Sequence, residues 1–208
     1  TGLVLDSYFS APKMAWLRRN VQTGGVVTTS DTWLLHRLTG AFVTDATTAS
    51  RSLIVELGAA GWDPQLLSLF GLEDEELPGI VGNDETIGTT TAFGAEIPLG
   101  GVVVDQQAAL LAEACLQPGM AKCTLGTGAF LLANTGSAAV HSAAGLTSSV
   151  AWRIGGRDTF CVDGQVYTAA SAVRWLCSLG VIAKPEEMDS VAADDAGGVL
   201  CEIGRAHV

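Results

Sequence analysis

Apolar positions recur along the chain at two periods, and the places where the period changes divide it. Between Ser10 and Asn20, Met14 and Leu17 share one face and Arg18-Arg19-Asn20 close the run, which predicts a short helix over 11–20 with Ser10 as its N-cap. Beyond the break at Gly24-Gly25, Thr28-Thr29-Ser30-Asp31 has capping chemistry for a second helix carrying Trp33, Leu34, Leu35 and Leu38 and ended by Gly40. Asp63 and Pro64 suit the cap and first helical position of a third. Gly101–Asp105 is a short β-branched run, and from Gln106 to Ala114 the spacing becomes helical. That change predicts a buried strand feeding a helix, the unit from which α/β sheets are built.

Beyond Pro118-Gly119 alternation takes over. Cys123–Leu125 and Ala129–Asn134 flank Gly126-Thr127-Gly128, and Ser148–Arg153 and Thr159–Val162 flank Gly155-Gly156, the pattern of an antiparallel meander with glycine turns. A helix over 168–179 follows, with Ala169, Ala172, Val173 and Leu176 on its inner face. The change of texture puts a domain boundary near 116–120. The acidic run Glu73–Glu76 reads as a solvated face.

Composition narrows the class. The 208 residues are 48% hydrophobic and 16% charged, which supports a packed core and argues against disorder. No apolar run reaches the ~18–20 residues of a membrane-spanning helix. The net charge of −11 works against sequence-independent binding to nucleic acid or to an anionic membrane, both of which need clustered Lys and Arg. It leaves room for a phosphorylated ligand, because backbone N–H groups can hold an anion. The five cysteines, Cys115, Cys123, Cys161, Cys177 and Cys201, are odd in number and scattered among small or apolar neighbours. They predict buried free thiols in a reducing compartment. His36, His141 and His207 have no ligand-spaced neighbours that would suggest zinc. The chain opens at Thr1 as though within a longer protein, and 202–208 follow Cys201 without turn or cap logic, so that stretch is expected to be a non-native tail.

Asp105 is the first candidate for chemistry. At the carboxyl end of a strand it would face the crevice where open α/β sheets bind ligands, and a helix N-terminus suits its negative charge. It could accept a hydroxyl proton as a general base or simply cap the helix that follows. Gly126-Thr127-Gly128 is the second: a tight glycine turn can aim N–H groups at a phosphate, or it can be an ordinary hairpin turn. Tyr8 and Phe130 stand near turns, as packing residues or as aromatic surfaces for a ligand. Thr124, Ser148 and Ser149 have no histidine at a spacing that suggests a hydrolase triad.

Together these segments resemble the FGGY carbohydrate kinases. Tyr8-Phe9-Ser10-Ala11-Pro12-Lys13-Met14-Ala15-Trp16-Leu17-Arg18-Arg19-Asn20 is similar to the family's first signature. Asp31–Leu35, Thr44-Asp45, Ala49-Ser50-Arg51, Gly101–Leu110, Gly119–Lys122 and Gly126–Phe130 follow in the family's order. The resemblance spans Thr1–Cys201. It implies an α/β, actin-like/ribonuclease H-like two-domain ATPase fold, of which 1–116 would be the later part of the first domain and 117–201 the opening of the second. Ala49-Ser50-Arg51, Asp105-Gln106-Gln107-Ala108-Ala109-Leu110 and Phe130 look more like the glycerol-phosphorylating branch than the xylulose-phosphorylating one. The implied reaction is transfer of a phosphoryl group from ATP, with Mg2+, to a polyol or sugar hydroxyl, glycerol first among them. Kinases for other polyols or ketoses, and a degenerate binding module, stand as rivals.

The resemblance also assigns roles. Asp105 becomes the general base and a neighbour of Mg2+. Tyr8, Asp105 and Gln106 would hydrogen-bond the substrate while Phe130 packs against its carbons. Gly126, Thr127, Ala170 and Arg174 fall on the nucleotide side. Ala170 and Arg174 depart from the Gly and Gln usual there, and Cys123 and Leu125 from the Asn and Tyr usual before the turn. The family's first phosphate hairpin and its adenine-binding part lie outside 1–201, so the fragment alone is expected to be inactive. A cytoplasmic location, a homo-oligomer for the whole protein and no nucleic-acid partner complete the expectations.

Overall fold

The computed structural model describes residues 1–21 and 24–199; Cys201 and the expected tail at 202–208 lie outside the described residues. The elements in chain order are α1 (Ser10–Asn20), α2 (Ser30–Thr39), β1 (Val43–Asp45), α3 (Ala46–Ala49), α4 (Pro64–Phe70), β2 (Gly79–Val81), β3 (Gly88–Thr90) and β4 (Ile97–Leu99). They continue with α5 (Asp105–Ala112), β5 (Ala121–Leu125), β6 (Ala129–Gly136), β7 (Thr147–Ile154), β8 (Arg157–Val166), α6 (Ala170–Ser178), a 3-10 turn (Pro185–Glu187) and α7 (Met188–Val191).

The first helices follow the sequence closely. α1 begins one residue early, with Ser10 inside the helix and Phe9 in the extended cap position, without a side-chain cap bond. Phe9 is buried, and the Arg51 guanidinium lies 5.5 Å from its ring centre, so packing rather than a hydroxyl cap sets where the helix begins. α2 stops at Gly40, whose φ of +79° a side chain would resist. α4 opens as predicted: the Asp63 carboxylate accepts from the N–H groups of Gln65 and Leu66, and Pro64 takes the first helical position.

Two expectations about strands are corrected. Residues 101–104 form no strand. Their backbone groups go to side chains instead: Asn83 Nδ2 donates to Val102 O at 2.6 Å, and Val104 N donates to Thr47 Oγ1 at 3.0 Å. A β-branched run whose polar groups are satisfied in this way has no need of a ladder. The glycine-turned strands are not a simple meander either. Their order is β5-β6-β8-β7, so β8 rather than β7 lies beside β6. β7 and β8 pair antiparallel, from Thr147 opposite Asp163 to Ile154 opposite Arg157, across Gly155-Gly156 at φ +56° and +71°. Two positive φ values are what a tight hairpin turn requires. Elsewhere β1 pairs parallel with β2 and β3 pairs antiparallel with β4.

The chain falls into two compact units. The larger comprises Thr1–Lys122 and Leu132–Asp163; the smaller comprises Cys123–Leu131 and the described residues from Gly164 onward. Within the larger unit Cys115 O accepts from Asn134 Nδ2 at 2.9 Å and Gly119 N donates to Asn134 O at 2.8 Å, which ties 115–119 to β6.

In the larger unit, Phe9, Ala11, Met14, Ala15, Val27, Leu53, Ile54 and Leu72 form one apolar cluster, and Ala46, Val150 and Phe160 another. In the smaller unit α6 buries no residue fully, and its expected inner face, Ala169, Ala172, Val173 and Leu176, is half-buried. Nor are the thiols uniformly buried. Cys115 and Cys161 are, Cys177 is half-buried, and Cys123 is exposed on β5.

Candidate functional site

The head of α5 carries the most chemistry in the larger unit. Asp105 is the first helical residue and is exposed. Val104 occupies the cap position, so Asp105 is not the helix cap. Its Oδ1 accepts from the Gln106 N–H at 2.7 Å. The residues just before it are fixed by polar side chains, buried at Asp45 and Thr47 and half-buried at Asn83. Asp45, fully buried, caps α3 by accepting from the N–H groups of Thr47 and Thr48 and from both their hydroxyls; its Oδ1 also accepts from Asn83 Nδ2 at 3.0 Å. Thr47 then accepts the Val104 N–H, and Asn83 holds Val102 O. Asn83 also pairs with β7, donating its N–H to Arg153 O at 2.8 Å and accepting from Arg153 N at 2.6 Å.

The two glutamines after Asp105 diverge. Gln106 is half-buried, and its Oε1 accepts from the ammonium of Lys122. Gln107 is fully buried; its Nε2 donates to Ser149 Oγ at 3.2 Å, while its Oε1 has no partner among the described residues. Beneath that contact Ser149 Oγ lies 3.5 Å from Cys161 Sγ, and burial pushes the Cys161 thiol up to about 11 against the opposing effect of the Ser149 contact. Tyr8, half exposed, stands just ahead of α1. Its N–H donates to Asp6 Oδ1 at 2.8 Å, its carbonyl accepts from Lys13 Nζ at 2.6 Å, and its ring meets Phe9 edge to face with centres 5.4 Å apart.

The turn Gly126–Gly128 lies in the smaller unit. Gly126 and Thr127 are exposed and Gly128 is buried. Gly126 N donates to Gly128 O at 2.8 Å. A Cβ on Gly128 would sit 2.6 Å from Val166 O and 3.2 Å from Tyr167 O, so this glycine is required by close backbone packing rather than by its φ. The start of α6 is bound to the same turn: Ala169 N donates to Thr127 O at 2.8 Å, Ala170 N to Gly126 O at 3.1 Å, and Ser171 Oγ to Thr127 O at 3.1 Å. The first N–H groups of α6 are therefore occupied by the turn, while the Thr127 hydroxyl makes no hydrogen bond among the described residues. Ala170 and Arg174 are exposed one helical turn apart, and Phe130 on β6 is half-buried.

Thus Asp105 and Gln106 come together in the larger unit with Tyr8 on a separate element, and Gly126, Thr127, Phe130, Ala170 and Arg174 gather in the smaller. At the turn the exposed Thr127 hydroxyl is the group that would meet a phosphate, and at the head of α5 the exposed Asp105 is the carboxylate that would hold Mg2+; among the described residues no three His, Cys, Asp or Glu side chains cluster for a metal. Sequence reasoning missed Asn83 and Gln107 as supports. Asp45 and Lys122 carried a signal, standing in Thr44-Asp45 and Gly119–Lys122, but no role.

The solved structures that superpose on the chain give its fold, actin-like/ribonuclease H-like, and the comparisons with known proteins give its family. The family model described as FGGY family of carbohydrate kinases, N-terminal domain, matches residues 1–112. The chain belongs to the FGGY family of carbohydrate kinases. It is 44% identical over 213 residues to a glycerol kinase of Thermus brockianus, covering 96% of this chain and 43% of that protein. It is 42% identical over 230 residues to a glycerol kinase of Myxococcus xanthus, covering 100% of this chain and 46% of that protein. Among solved structures, a Plasmodium falciparum glycerol kinase with ADP superposes with a TM-score of 0.85 at 32% identity, over 91% of this chain and 41% of that one. A xylulose kinase from Rhodospirillum rubrum, at 19% identity, shares the fold with a TM-score of 0.76 over 91% of this chain and 40% of that one. The chain therefore spans less than half the length of these relatives. Among the described residues no helix is long and apolar enough to cross a membrane.

Proposed function

We propose that the whole protein is a cytoplasmic kinase that phosphorylates a polyol hydroxyl, glycerol giving glycerol 3-phosphate. In this reading residues 1–116 form the later part of its first domain and 117–201 the opening of its second. The observation that carries it is the exposed Asp105 carboxylate at the head of α5, held there by Thr47 and Asn83 through the residues before it. ATP would supply the phosphoryl group, and Asp105 would hold the Mg2+ that, when bound, offsets charge on its phosphates. Asp105 takes the proton of the attacking hydroxyl, and Gln106 and Tyr8 orient the polyol; in the smaller unit Phe130 is read as a substrate-facing aromatic. Thr127 and Gly126 face the phosphates, and the exposed Arg174 replaces a neutral amide with a charged fork that phosphate can accept. In such a transfer the protein contributes mainly positioning and charge stabilisation.

The test is ADP release by the whole gene product with glycerol, xylulose and erythritol as alternatives. With glycerol preferred, Asp105→Ala is expected to lower kcat by about 10²–10⁴-fold, the span of a general base, and to leave the thermal unfolding temperature in place because Asp105 is exposed. Near-normal turnover in that variant would end the general-base assignment. Preference for xylulose or erythritol would move the substrate within the family. A binding module is the second reading, favoured by Ala170, whose methyl stands where close nucleotide approach needs glycine. Polyol binding without ADP release would support it.

A further inference from the structure

Lys122 is 2% exposed, and its ammonium donates to Oε1 of Gln106. Lysine is almost never this buried unless its charge has partners, because desolvating an ammonium is costly. The chemistry of the contact is one-directional. An ammonium carries three donors and no acceptor, so the amide facing it must present oxygen. The Gln106 NH2 is therefore turned away from Lys122, and it makes no hydrogen bond among the described residues. At its other end Gln106 is fixed as well, through its N–H on Asp105 Oδ1.

We propose that Lys122 is a positioning residue that locks the Gln106 amide with NH2 toward the polyol. The inference rests on the reading of Gln106 as a substrate-binding side chain and deepens it. A hydroxyl facing Gln106 must then accept through its oxygen, which leaves its own proton free to go elsewhere. If the amide flipped, its carbonyl would compete for a hydroxyl proton, including the one that Asp105 is to remove. Lys122 thus fixes the hydrogen-bond polarity of this side of the site without touching substrate.

The experiment measures KM for glycerol, KM for ATP and kcat on the whole gene product. Lys122→Met is expected to raise KM for glycerol about tenfold while KM for ATP stays within about twofold. Lys122→Arg, which also has donors and no acceptor, should restore most of the loss. In a Gln106→Ala background, Lys122→Met should add less than about twofold, because the group it orients is gone. An unchanged KM for glycerol in folded Lys122→Met overturns the inference, and so does a full effect in the Gln106→Ala background. If Lys122→Met does not fold, Lys122→Gln carries the same comparison, since an amide can face Gln106 with either atom. A silent Gln106→Ala strikes instead at the placement of Gln106 in the polyol site. A large Gln106→Ala effect beside a silent Lys122→Met strikes at Lys122 alone.

Discussion

The head of α5 and the turn at Gly126–Gly128 are held in opposite ways. The first depends on side chains: Asp45, Thr47 and Asn83 satisfy and fix the backbone before Asp105, and Lys122 and Ser149 hold the two glutamines after it. The second depends on main chain, with the carbonyls of Gly126 and Thr127 receiving the first N–H groups of α6 and Gly128 pressed against the carbonyl of Val166. A place held by side chains should be broken by changing chemical groups, and one held by main chain by changing space.

The largest expected effect is at Asp45. Replacing it with Ala removes the acceptor for two N–H groups, two hydroxyls and the Asn83 amide, all inside the larger unit. Loss of a buried helix cap and of charge-assisted bonds should cost about 3–4 kcal/mol in urea unfolding. Asp45→Asn should cost roughly half of that. It keeps an oxygen for Thr47 N at 2.8 Å but loses the Oδ2 that accepts from Thr48 Oγ1 at 2.6 Å. Equal losses for Ala and Asn would show that the carboxylate's second oxygen, rather than the cap, holds this region.

Next in size is Gly128→Ala. Its Cβ would lie 2.6 Å from Val166 O, which is main chain and cannot swing aside, so about 1–3 kcal/mol of strain is expected. Gly126→Ala is the matched control: its nearest neighbour would be Gly128 O at 3.8 Å, an ordinary contact, and stability should move by less than about 0.5 kcal/mol. Thermal unfolding of both variants checks the pair. If they behaved alike, close packing would not be what selects glycine at 128.

The sequence made some of this visible and hid the rest for physical reasons. Caps and turns were legible because their signals are local: Asp63 with Pro64, Gly40, and the pair Gly155-Gly156 all act within a few residues of their own positions. The strand expected at 101–104 failed because the competing partners, Thr47 and Asn83, are far away in the chain. Strand order failed for a related reason, since alternation predicts strands but not which one lies beside β6. Of the site, Asp105 and Gln106 stood out in one motif. Asn83 gave no signal, being one polar residue in an acidic stretch whose role appears only when β7 and Val102 meet it.

The smallest effect separates the two regions by pH. Cys161 lies under the Gln107–Ser149 contact, and burial raises its thiol from 9.0 to about 11. Below pH 9 the thiol is neutral in both folded and unfolded chains, and its contribution to stability is fully present. Between 9 and 11 the unfolded chain releases the proton while the folded one retains it, so alkali favours unfolding and the contribution is lost as pH rises through the folded value. The loss should reach about 1 kcal/mol by pH 10. Comparing urea midpoints at pH 8 and pH 10 for the wild type and Cys161→Ala isolates it, because only the wild type carries this component of the pH dependence. A slope unchanged by the substitution would mean that the thiolate is accommodated in the fold and that the Gln107–Ser149–Cys161 stack is looser than its burial implies. Removal of the slope would show that the side-chain-held region resists charge as well as truncation.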